Sequence, residues 1–250
     1  MDAMAELVAQ PLPSETDAAQ ERCYVTYYLS LLEGGLEKPH ITLLESRSLI
    51  SASGTTGLRT WEAALHLGQF LCVNPGLVKD KRVIELGTGT GYLAVLCAKY
   101  LGASHVIASD GSEEVIEKLP DNLFVNGLQD SDKVQPMELK WGHALLGTEE
   151  EQWNGGRKVD VVLGADITYD VSVIPALVAT LEELANLHPG ISIIIAATER
   201  NRVTYESFLA ACGQQGFSVT PESFPVPSRV EQKGPFYKDQ TPIHICQLRR

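Results

Sequence analysis

The stretch VIELGTGTG, residues 83–91, decides the fold of this chain. Residues of strand-like character lead into three glycines separated by single threonines, and apolar residues at helical spacing resume at Tyr92. Glycine permits positive φ and lets a ligand approach the backbone closely, and the start of the following helix favours anionic ligand groups. The stretch therefore predicts a strand, a ligand-binding turn and a helix, as in nucleotide-binding α/β proteins.

The spacing of these glycines separates two classes of cofactor. A nicotinamide-binding GxGxxG fingerprint would need glycine at position 92, where the chain has tyrosine. The observed ExGxGxG pattern resembles the first motif of class I methyltransferases, which bind S-adenosylmethionine; a dinucleotide is the less favoured alternative. That resemblance implies cofactor contacts by the residues of the motif, namely Glu85, Gly87, Thr88, Gly89 and Gly91.

Strand-like and helix-like segments alternate along the chain on both sides of this motif. We predict strands at 83–86, 105–109, 134–141, 159–165 and 191–197, and helices at 61–71, 92–101, 112–125, 171–187 and 204–215. Such alternation indicates a parallel sheet covered on both faces. Two further strands, at 217–224 and 243–248, lack a helix between them and can pair antiparallel at an edge. The predicted fold is therefore α/β, a Rossmann-like class I methyltransferase fold with a mostly parallel seven-stranded sheet and an antiparallel C-terminal edge strand.

The residues before position 58 are expected to form a small helix and hairpin extension to the methyltransferase domain, which spans 58–250. Residues 1–17 contain two prolines and several acids, which predict a flexible lead-in. The segment 18–57 is expected to begin with a helix over 18–33, because its tyrosines and leucines follow helical spacing. Two short strands are predicted after that helix, at 41–44 and 49–52.

Two residues that follow other strands are predicted to contact the same cofactor. Asp110 ends the next strand, where a carboxylate can accept hydrogen bonds from both ribose hydroxyls. Its alternative role is to cap the helix that starts near residue 112. Trp141 follows the third strand, where an indole can stack on the adenine ring, although a core aromatic residue would also fit that position.

The segment GADITY, residues 164–169, ends the fourth strand and is the predicted substrate site. Ligands of parallel α/β sheets lie beyond the carboxyl ends of the strands, so Asp166 and Tyr169 are expected to face the cofactor crevice. Their DxxY spacing resembles a motif of the seven-strand protein lysine methyltransferases. A lysine amine must lose a proton before it can attack, and an acid and a phenol can orient it. A purely helix-capping role for Asp166 is the alternative, and neither residue is assigned as a general base.

A second string, GTTGLRTWEAA at residues 54–64, is more specific than the glycine motif. It resembles the GxTGLxxWxAA segment of family 16 methyltransferases, which modify lysines of non-histone proteins. Together with RCYVTYY at 22–28 and TERN at 198–201, it resembles the group of this family that acts on elongation factor 2. The resemblance implies a protein-lysine N-methyltransferase with a translation factor as its substrate.

The same resemblance extends the predicted site to four further residues. Trp61 and Ala165 are expected to contact the cofactor, and the alternative for Trp61 is a core position on a helix face. Arg200 and Asn201 follow the fifth strand and are expected beside the crevice. They could contact the substrate, or they could pair locally and cap a helix.

Composition limits the classes of partner. The chain has 32 acidic and 20 basic residues and a formal net charge of −12, which argues against nucleic acid, because phosphate contacts need clustered basic side chains. The surplus acid fits solubility alone or attraction to a basic protein. Five dispersed cysteines without a CxxC pair predict neither a disulfide framework nor a metal site. No apolar run reaches the roughly 18 residues of a membrane span.

These observations predict a cytoplasmic, monomeric, metal-free enzyme that uses S-adenosylmethionine and binds neither nucleic acid nor membrane. Its expected partner is a protein substrate, with elongation factor 2 as the first choice. The alternatives are a lysine of another non-histone protein, such as a chaperone or a different translation factor, and a small-molecule substrate. A binding module that keeps the fold without the activity is a further alternative, although the intact motifs argue against it.

Overall fold

A computed structural model describes residues 22–32, 38–46, 55–129, 131–143, 145 and 153–250. The strands in this part of the chain are β1 Arg22–Tyr28, β2 His40–Ser46, β3 Arg82–Leu86, β4 His105–Asp110, β5 Val134–Glu138, β6 Val161–Ala165, β7 Ser192–Thr198, β8 Ser218–Pro221 and β9 Ile243–Arg249. The α-helices are α1 Glu62–Val73, α2 Tyr92–Lys99, α3 Glu113–Val125, α4 Ile174–Leu187 and α5 Arg202–Gln214. Two short 3₁₀-helices span Pro75–Leu77 and Trp153–Gly156.

Seven of the strands form one sheet in the order β5-β4-β3-β6-β7-β9-β8. The five strands from β5 to β7 are parallel, and β9 lies antiparallel between β7 and β8. The helices α2, α3 and α4 connect β3 to β4, β4 to β5 and β6 to β7, whereas a long loop joins β8 to β9, so the last two strands can reverse direction. This topology confirms the predicted class I methyltransferase fold.

The core lies on both faces of this sheet. Successive residues of β3 point to opposite faces: Val83 packs in the layer that contains α1, α2 and α3, and Ile84 packs in the layer that contains α4 and α5. Both side chains are fully buried. Burial on both faces explains why the inner strands β3, β4, β6 and β7 have apolar runs rather than an alternating pattern. In β3 and β4 the polar side chains lie at or near the strand ends, and the site forms at the carboxyl ends.

The N-terminal extension differs from the prediction. Residues 22–28 form β1 instead of part of a helix over 18–33, and β1 pairs antiparallel with β2. The sequence RCYVTYY is rich in β-branched and aromatic residues, which favour strands. Its Val25 and Tyr27 turn towards the protein, while Tyr24 and Tyr28 remain exposed. Tyrosines spaced by three and four residues fit a helical stripe, but the alternating burial shows a period of two.

Other predicted segments differ in extent or lie outside the described residues. The predicted strand at 41–44 is part of β2. The lead-in at 1–17 and the second short strand at 49–52 fall outside the described residues and stay predictions. Within the described part of the chain, no helix is both long and apolar enough to cross a membrane.

Candidate functional site

A cavity of about 790 Å³ opens beyond the carboxyl ends of β3, β4 and β6. The loops that follow these strands form one wall, and residues 55–61 with the start of α1 form the opposite wall. Parallel strands all end at the same edge of the sheet, so residues distant in sequence meet there. The cavity therefore brings together the glycine motif, the acidic residue after β4 and the DxxY segment after β6.

The glycine turn after β3 gives the cavity its floor. Gly87 and Gly89 have φ of 66° and 53°, values that side chains of L-residues rarely allow. A Cβ atom on Gly89 would lie 2.9 Å from the carbonyl oxygen of Gly57, and one on Gly87 would lie 2.6 Å from Cγ2 of Ile167. Only glycine therefore lets the loop before α1 and the segment after β6 close around the turn.

The third glycine of the motif has a different role from the first two. Gly91 has φ of 86° at the N-cap position of α2, and a Cβ atom there would lie 2.5 Å from Cδ1 of Leu119 on α3. Gly91 is not among the residues that line the cavity, whereas Thr88 and Thr90 are. Its requirement for glycine thus comes from helix packing, and a contact between Gly91 and the cofactor stays a prediction.

Glu85 lies beneath the turn, as its position in the motif predicts. It is almost fully buried and lines the cavity. The hydroxyl of Thr88 donates a hydrogen bond of 2.7 Å to Oε2 of Glu85, and the backbone amide of Ala94 also donates to this carboxylate. Burial raises the pKa of Glu85 to about 8, with a smaller contribution from the charge of Asp110. A cationic group in the cavity would stabilise the ionised form of Glu85, which burial disfavours in its absence.

Asp110, the last residue of β4, accepts hydrogen bonds from two backbone amides. Its Oδ2 accepts a hydrogen bond of 3.1 Å from the amide of Gly89, and its Oδ1 accepts one of 3.0 Å from the amide of Ser112, before α3. Burial raises the pKa of Asp110, and the amide donors oppose that shift. The side chain also lines the cavity, so this carboxylate fixes the glycine turn while it remains available to a ligand.

Trp141 and Ala165 also line the cavity. A Cβ atom on Gly87 would lie 3.6 Å from the indole of Trp141, which places this ring against the glycine turn. Its Nε1 is buried and has no hydrogen-bond partner among the described residues. The aromatic face and the glycine turn are therefore neighbours, as an adenine site would require.

Asp166 has a strained backbone and a fully occupied carboxylate. Its φ is 54°, which is rare for a residue with a side chain. The amide and hydroxyl of Thr198 donate hydrogen bonds of 2.9 and 3.0 Å to Oδ1 and Oδ2, and the amide of Ala63 donates one of 3.3 Å to Oδ2. The carboxylate thereby joins the ends of β6 and β7 to the first turn of α1.

Arg200 completes the set of donors around Asp166. Its two terminal nitrogens lie 3.3 and 3.2 Å from the carboxylate oxygens of Asp166, and Nη2 lies 2.9 Å from Oε2 of Glu62. The guanidinium also lies over the ring of Trp61, 4.9 Å from its centroid. Arg200 is thus in the cavity wall beside Trp61, as predicted, with two carboxylates that neutralise its charge.

The other two predicted substrate residues occupy different places. Tyr169 lines the cavity and is 59% exposed, so its phenol lies where a protein substrate could reach it. Asn201 does not line the cavity. Its Oδ1 accepts a hydrogen bond of 2.9 Å from the amide of Val203 and caps α5. Substrate contact by Asn201 stays a prediction, and the capping alternative describes its present contacts.

Sequence reasoning missed a buried network that links the N-terminal hairpin to the glycine turn. The hydroxyls of Tyr27 and Thr60 donate hydrogen bonds of 2.8 and 2.6 Å to Oε1 of Glu45. The Thr60 hydroxyl is also 2.6 Å from that of Thr90 in the turn. The Thr60 hydroxyl has one hydrogen, which it uses to donate to Glu45. The Thr90 hydroxyl is therefore the donor in its hydrogen bond with Thr60. Tyr27, Thr60 and Thr90 lie within the quoted strings RCYVTYY, GTTGLRTWEAA and VIELGTGTG, but Glu45, which connects two of them, carried no signal.

Comparisons with known proteins agree with the geometry. A family described as lysine methyltransferase matches residues 44–215. Protein-lysine N-methyltransferase EFM3 of Chaetomium thermophilum is 92% identical over 250 residues, covering 100% of this chain and 74% of that protein. Protein-lysine N-methyltransferase EEF2KMT of Homo sapiens is 31% identical, with 99% of this chain and 73% of that protein covered.

Solved structures that resemble this one have the same fold at low sequence identity. The methyltransferase domain of bacterial CtHen1 has a TM-score of 0.53 at 16% identity, with 74% of this chain and 96% of that chain covered. Magnesium protoporphyrin IX methyltransferase from Synechocystis, solved with bound S-adenosylmethionine, has a TM-score of 0.50 at 18% identity, with 74% and 76% covered. At these sequence identities the similarity supports the class I methyltransferase fold alone.

Proposed function

This chain belongs to the lysine methyltransferase family and is an S-adenosylmethionine-dependent protein-lysine N-methyltransferase, and from that premise we propose that it methylates a lysine of elongation factor 2. The choice of substrate is supported by the resemblance of its motifs and by the similarity to EEF2KMT. A cytoplasmic location and a monomeric state are parts of the same proposal. The observation that supports methyl transfer to a protein amine is the juxtaposition of the glycine turn and the DxxY segment in one cavity.

The described residues fit the cofactor. Gly87 and Gly89 of the turn line the cavity, Asp110 can hold the ribose, and Trp141 can stack on the adenine. Glu85, at the closed end beneath the turn, suits the cationic methionine end. When bound, S-adenosylmethionine supplies an electrophilic methyl group on a positively charged sulfur.

The residues on the substrate side are suited to orientation of a lysine amine. Asp166 already accepts hydrogen bonds from Ala63, Thr198 and Arg200, and a carboxylate has about four acceptor sites. We therefore assign Asp166 a positioning role through electrostatics rather than the role of proton acceptor. The exposed Tyr169 can contact the amine directly. Solvent at the cavity mouth can take the proton that the lysine amine loses.

The function is tested by transfer of labelled methyl from S-adenosylmethionine to purified elongation factor 2 and to a panel of chaperones and other translation factors. We expect label on a lysine of elongation factor 2. The proposed substrate is contradicted by label on another panel protein and none on elongation factor 2. Measurable cofactor binding without label on any protein would contradict the transferase activity itself.

The division of roles in the site is tested with two variants. We expect Asp110→Ala to weaken cofactor binding about tenfold or more, because it removes a charged acceptor that also holds Gly89. Asp166→Asn should keep cofactor affinity within about threefold but lose most turnover. Calorimetric titration and single-turnover rates provide both readouts. The exposed Asp132→Ala is the control, and equal loss of cofactor affinity in both site variants would contradict the assignment.

A further inference from the structure

A second cavity, of about 870 Å³, lies between the N-terminal hairpin and the loop that joins β8 to β9. We call it the hairpin groove; its walls come from β1, from Glu45 and Ser46 of β2, from residues 59–65 and from residues 229–240. Arg59 and Thr60 line both this groove and the cofactor cavity. The two cavities are thus neighbours across a single turn of chain, immediately before Trp61.

Three basic side chains line the hairpin groove, and one of them, Arg59, interacts electrostatically with Glu45. Arg59, Arg229 and Lys238 all line it, and none forms an ion pair with another residue in the described part of the chain. Arg59 is half-buried and lies 5.7 Å from the ring centroid of Trp61, whereas Arg229 and Lys238 are exposed. These cations are opposite in sign to the net charge of the chain, which is −12.

The acidic residues of the groove are engaged in the fold. Glu45 is buried, and its oxygens accept hydrogen bonds from the hydroxyls of Tyr27 and Thr60 and from the backbone amide of Thr60. Glu62 pairs with Arg200 outside the groove. Asp239 accepts a hydrogen bond of 2.7 Å from the backbone amide of Arg229 and so has part of its charge satisfied. The charges left for an incoming ligand are therefore positive.

We propose that the hairpin groove binds an acidic segment of the protein substrate that flanks the target lysine. This inference rests on the proposed function, since it assumes a protein substrate for the neighbouring cavity. Charge complementarity between the groove and an acidic segment would fix the register of the substrate, and Phe236, 67% exposed at the groove, offers an apolar contact beside the charges.

The shared wall limits how far the acidic residues lie from the lysine. An extended chain advances about 3.3 to 3.6 Å per residue. Along this wall Arg59 and Thr60 line both cavities, Trp61 lines the cofactor cavity and Glu62 lines the groove. A lysine that enters beside Trp61 and Asp166 would therefore place residues a few positions away in the hairpin groove. Acidic residues within about six positions of the modified lysine are the expected signature.

The kinetic test uses the variant Arg229→Glu/Lys238→Glu and purified elongation factor 2. We expect KM for the protein substrate to rise about tenfold, while the affinity for S-adenosylmethionine and kcat stay within about twofold. The neutral variant Arg229→Gln/Lys238→Gln should give an intermediate KM. The control Lys133→Glu/Arg157→Glu reverses two exposed charges outside the groove and should leave KM unchanged. An unchanged KM in the first variant would overturn the groove proposal while the methyl transfer itself stood.

A binding test separates the groove from the identity of the substrate. The probe is a fluorescent peptide with one lysine flanked by glutamates, and anisotropy measures its affinity for the intact chain. We expect the Arg229→Glu/Lys238→Glu variant to bind it at least about fivefold more weakly than wild type, with the control variant unaffected. A peptide with lysines in place of the glutamates should bind weakly to all three proteins. Equal binding of the acidic and basic peptides by wild type would overturn the proposal even if elongation factor 2 proved not to be the substrate.

Discussion

At the scale of single residues, Asp166 combines backbone strain with an unusually complete set of hydrogen bonds. A residue with positive φ costs roughly 1 kcal/mol or more, and the contacts with Thr198, Ala63 and Arg200 hold it in place. Such strain is typical of residues whose position matters for function. The aspartate of the DxxY segment could be predicted from the sequence, but its arginine partner could be predicted only as a neighbour of the crevice.

Glu85 gives a prediction about pH and stability at the same scale. Burial raises its folded-state pKa to about 8 from the usual value of 4.5. Between about pH 4.5 and pH 8 the folded state binds a proton at Glu85 that the unfolded state does not. The free energy of unfolding is therefore highest below about pH 4.5 and falls as the pH rises through about 8. The difference in free energy of unfolding, Glu85→Gln minus wild type, should therefore increase by at least about 1 kcal/mol from pH 5 to pH 9 in the absence of cofactor.

Urea unfolding at several pH values measures this difference. The exposed Glu117 is a matched control, and Glu117→Gln should follow wild type at every pH. A difference between Glu85→Gln and wild type that does not change over this range would contradict the pKa of Glu85 and its placement beneath the turn.

At the scale of elements, the β1–β2 hairpin supports the glycine turn through Glu45. Replacement by alanine leaves the buried hydroxyls of Tyr27 and Thr60 without their acceptor, which should lower the free energy of unfolding by about 2 to 3 kcal/mol. The Thr60 hydroxyl also accepts a hydrogen bond from the hydroxyl of Thr90 in the glycine turn. We therefore expect Glu45→Ala to weaken cofactor binding as well. Thermal unfolding and calorimetric titration test the two effects.

A polar pair elsewhere on the same hairpin provides the control for Glu45→Ala. The hydroxyls of Thr26 and Thr42 are 2.9 Å apart in an exposed pair. Thr26→Ala should change the free energy of unfolding by less than about 0.5 kcal/mol and leave cofactor affinity unchanged. Loss of stability in Glu45→Ala without any loss of cofactor affinity would show that the hairpin does not support the turn.

The elements themselves could be predicted to different degrees, for physical reasons. The strands of the parallel sheet are buried on both faces, so their apolar runs are distinct from the amphipathic helices between them. The segment RCYVTYY satisfies helical and strand spacing at once, and its strand conformation depends on pairing with β2. Tertiary pairing of this kind overrides a local pattern.

At the scale of the whole molecule, His66 joins α1 to the loop between β8 and β9. Its Nε2 lies 3.0 Å from the carbonyl oxygen of Phe224 and donates to it, so Nδ1 accepts the hydrogen bond of 2.8 Å from the hydroxyl of Tyr237. Burial lowers the pKa of His66 to about 4. The stability that depends on neutral His66 is present above about pH 6.5 and is lost as the pH falls through about 4.

We therefore expect wild type to lose about 2 to 3 kcal/mol of unfolding free energy between pH 7 and pH 4 through this residue. His66→Gln should be less stable at pH 7, because it cannot satisfy both partners, but should have a flatter pH profile over this range. Denaturant unfolding measures both quantities. The exposed His143→Gln should retain the wild-type profile, and a wild-type slope in His66→Gln would contradict the role of His66.

The assembled site shows what a single sequence leaves open. The glycine turn, Asp110 and the DxxY segment follow strand ends, so the parallel fold alone predicts that they meet. Arg200 contacts Glu62, which is 138 positions earlier in the sequence, and local pattern cannot reveal such a pair. The hairpin groove likewise depends on β1 and on the loop after β8, two parts whose proximity only the folded chain establishes.

The central claim is that one cavity seats the methyl donor on the glycine turn and presents it to the DxxY segment. A crystal structure of this chain with S-adenosylhomocysteine tests that claim most directly. We predict electron density over Gly87 and Gly89, with the ribose on Asp110 and the sulfur directed towards Asp166 and Tyr169. Density at another site, or a turn closed off by neighbouring side chains, would contradict the account.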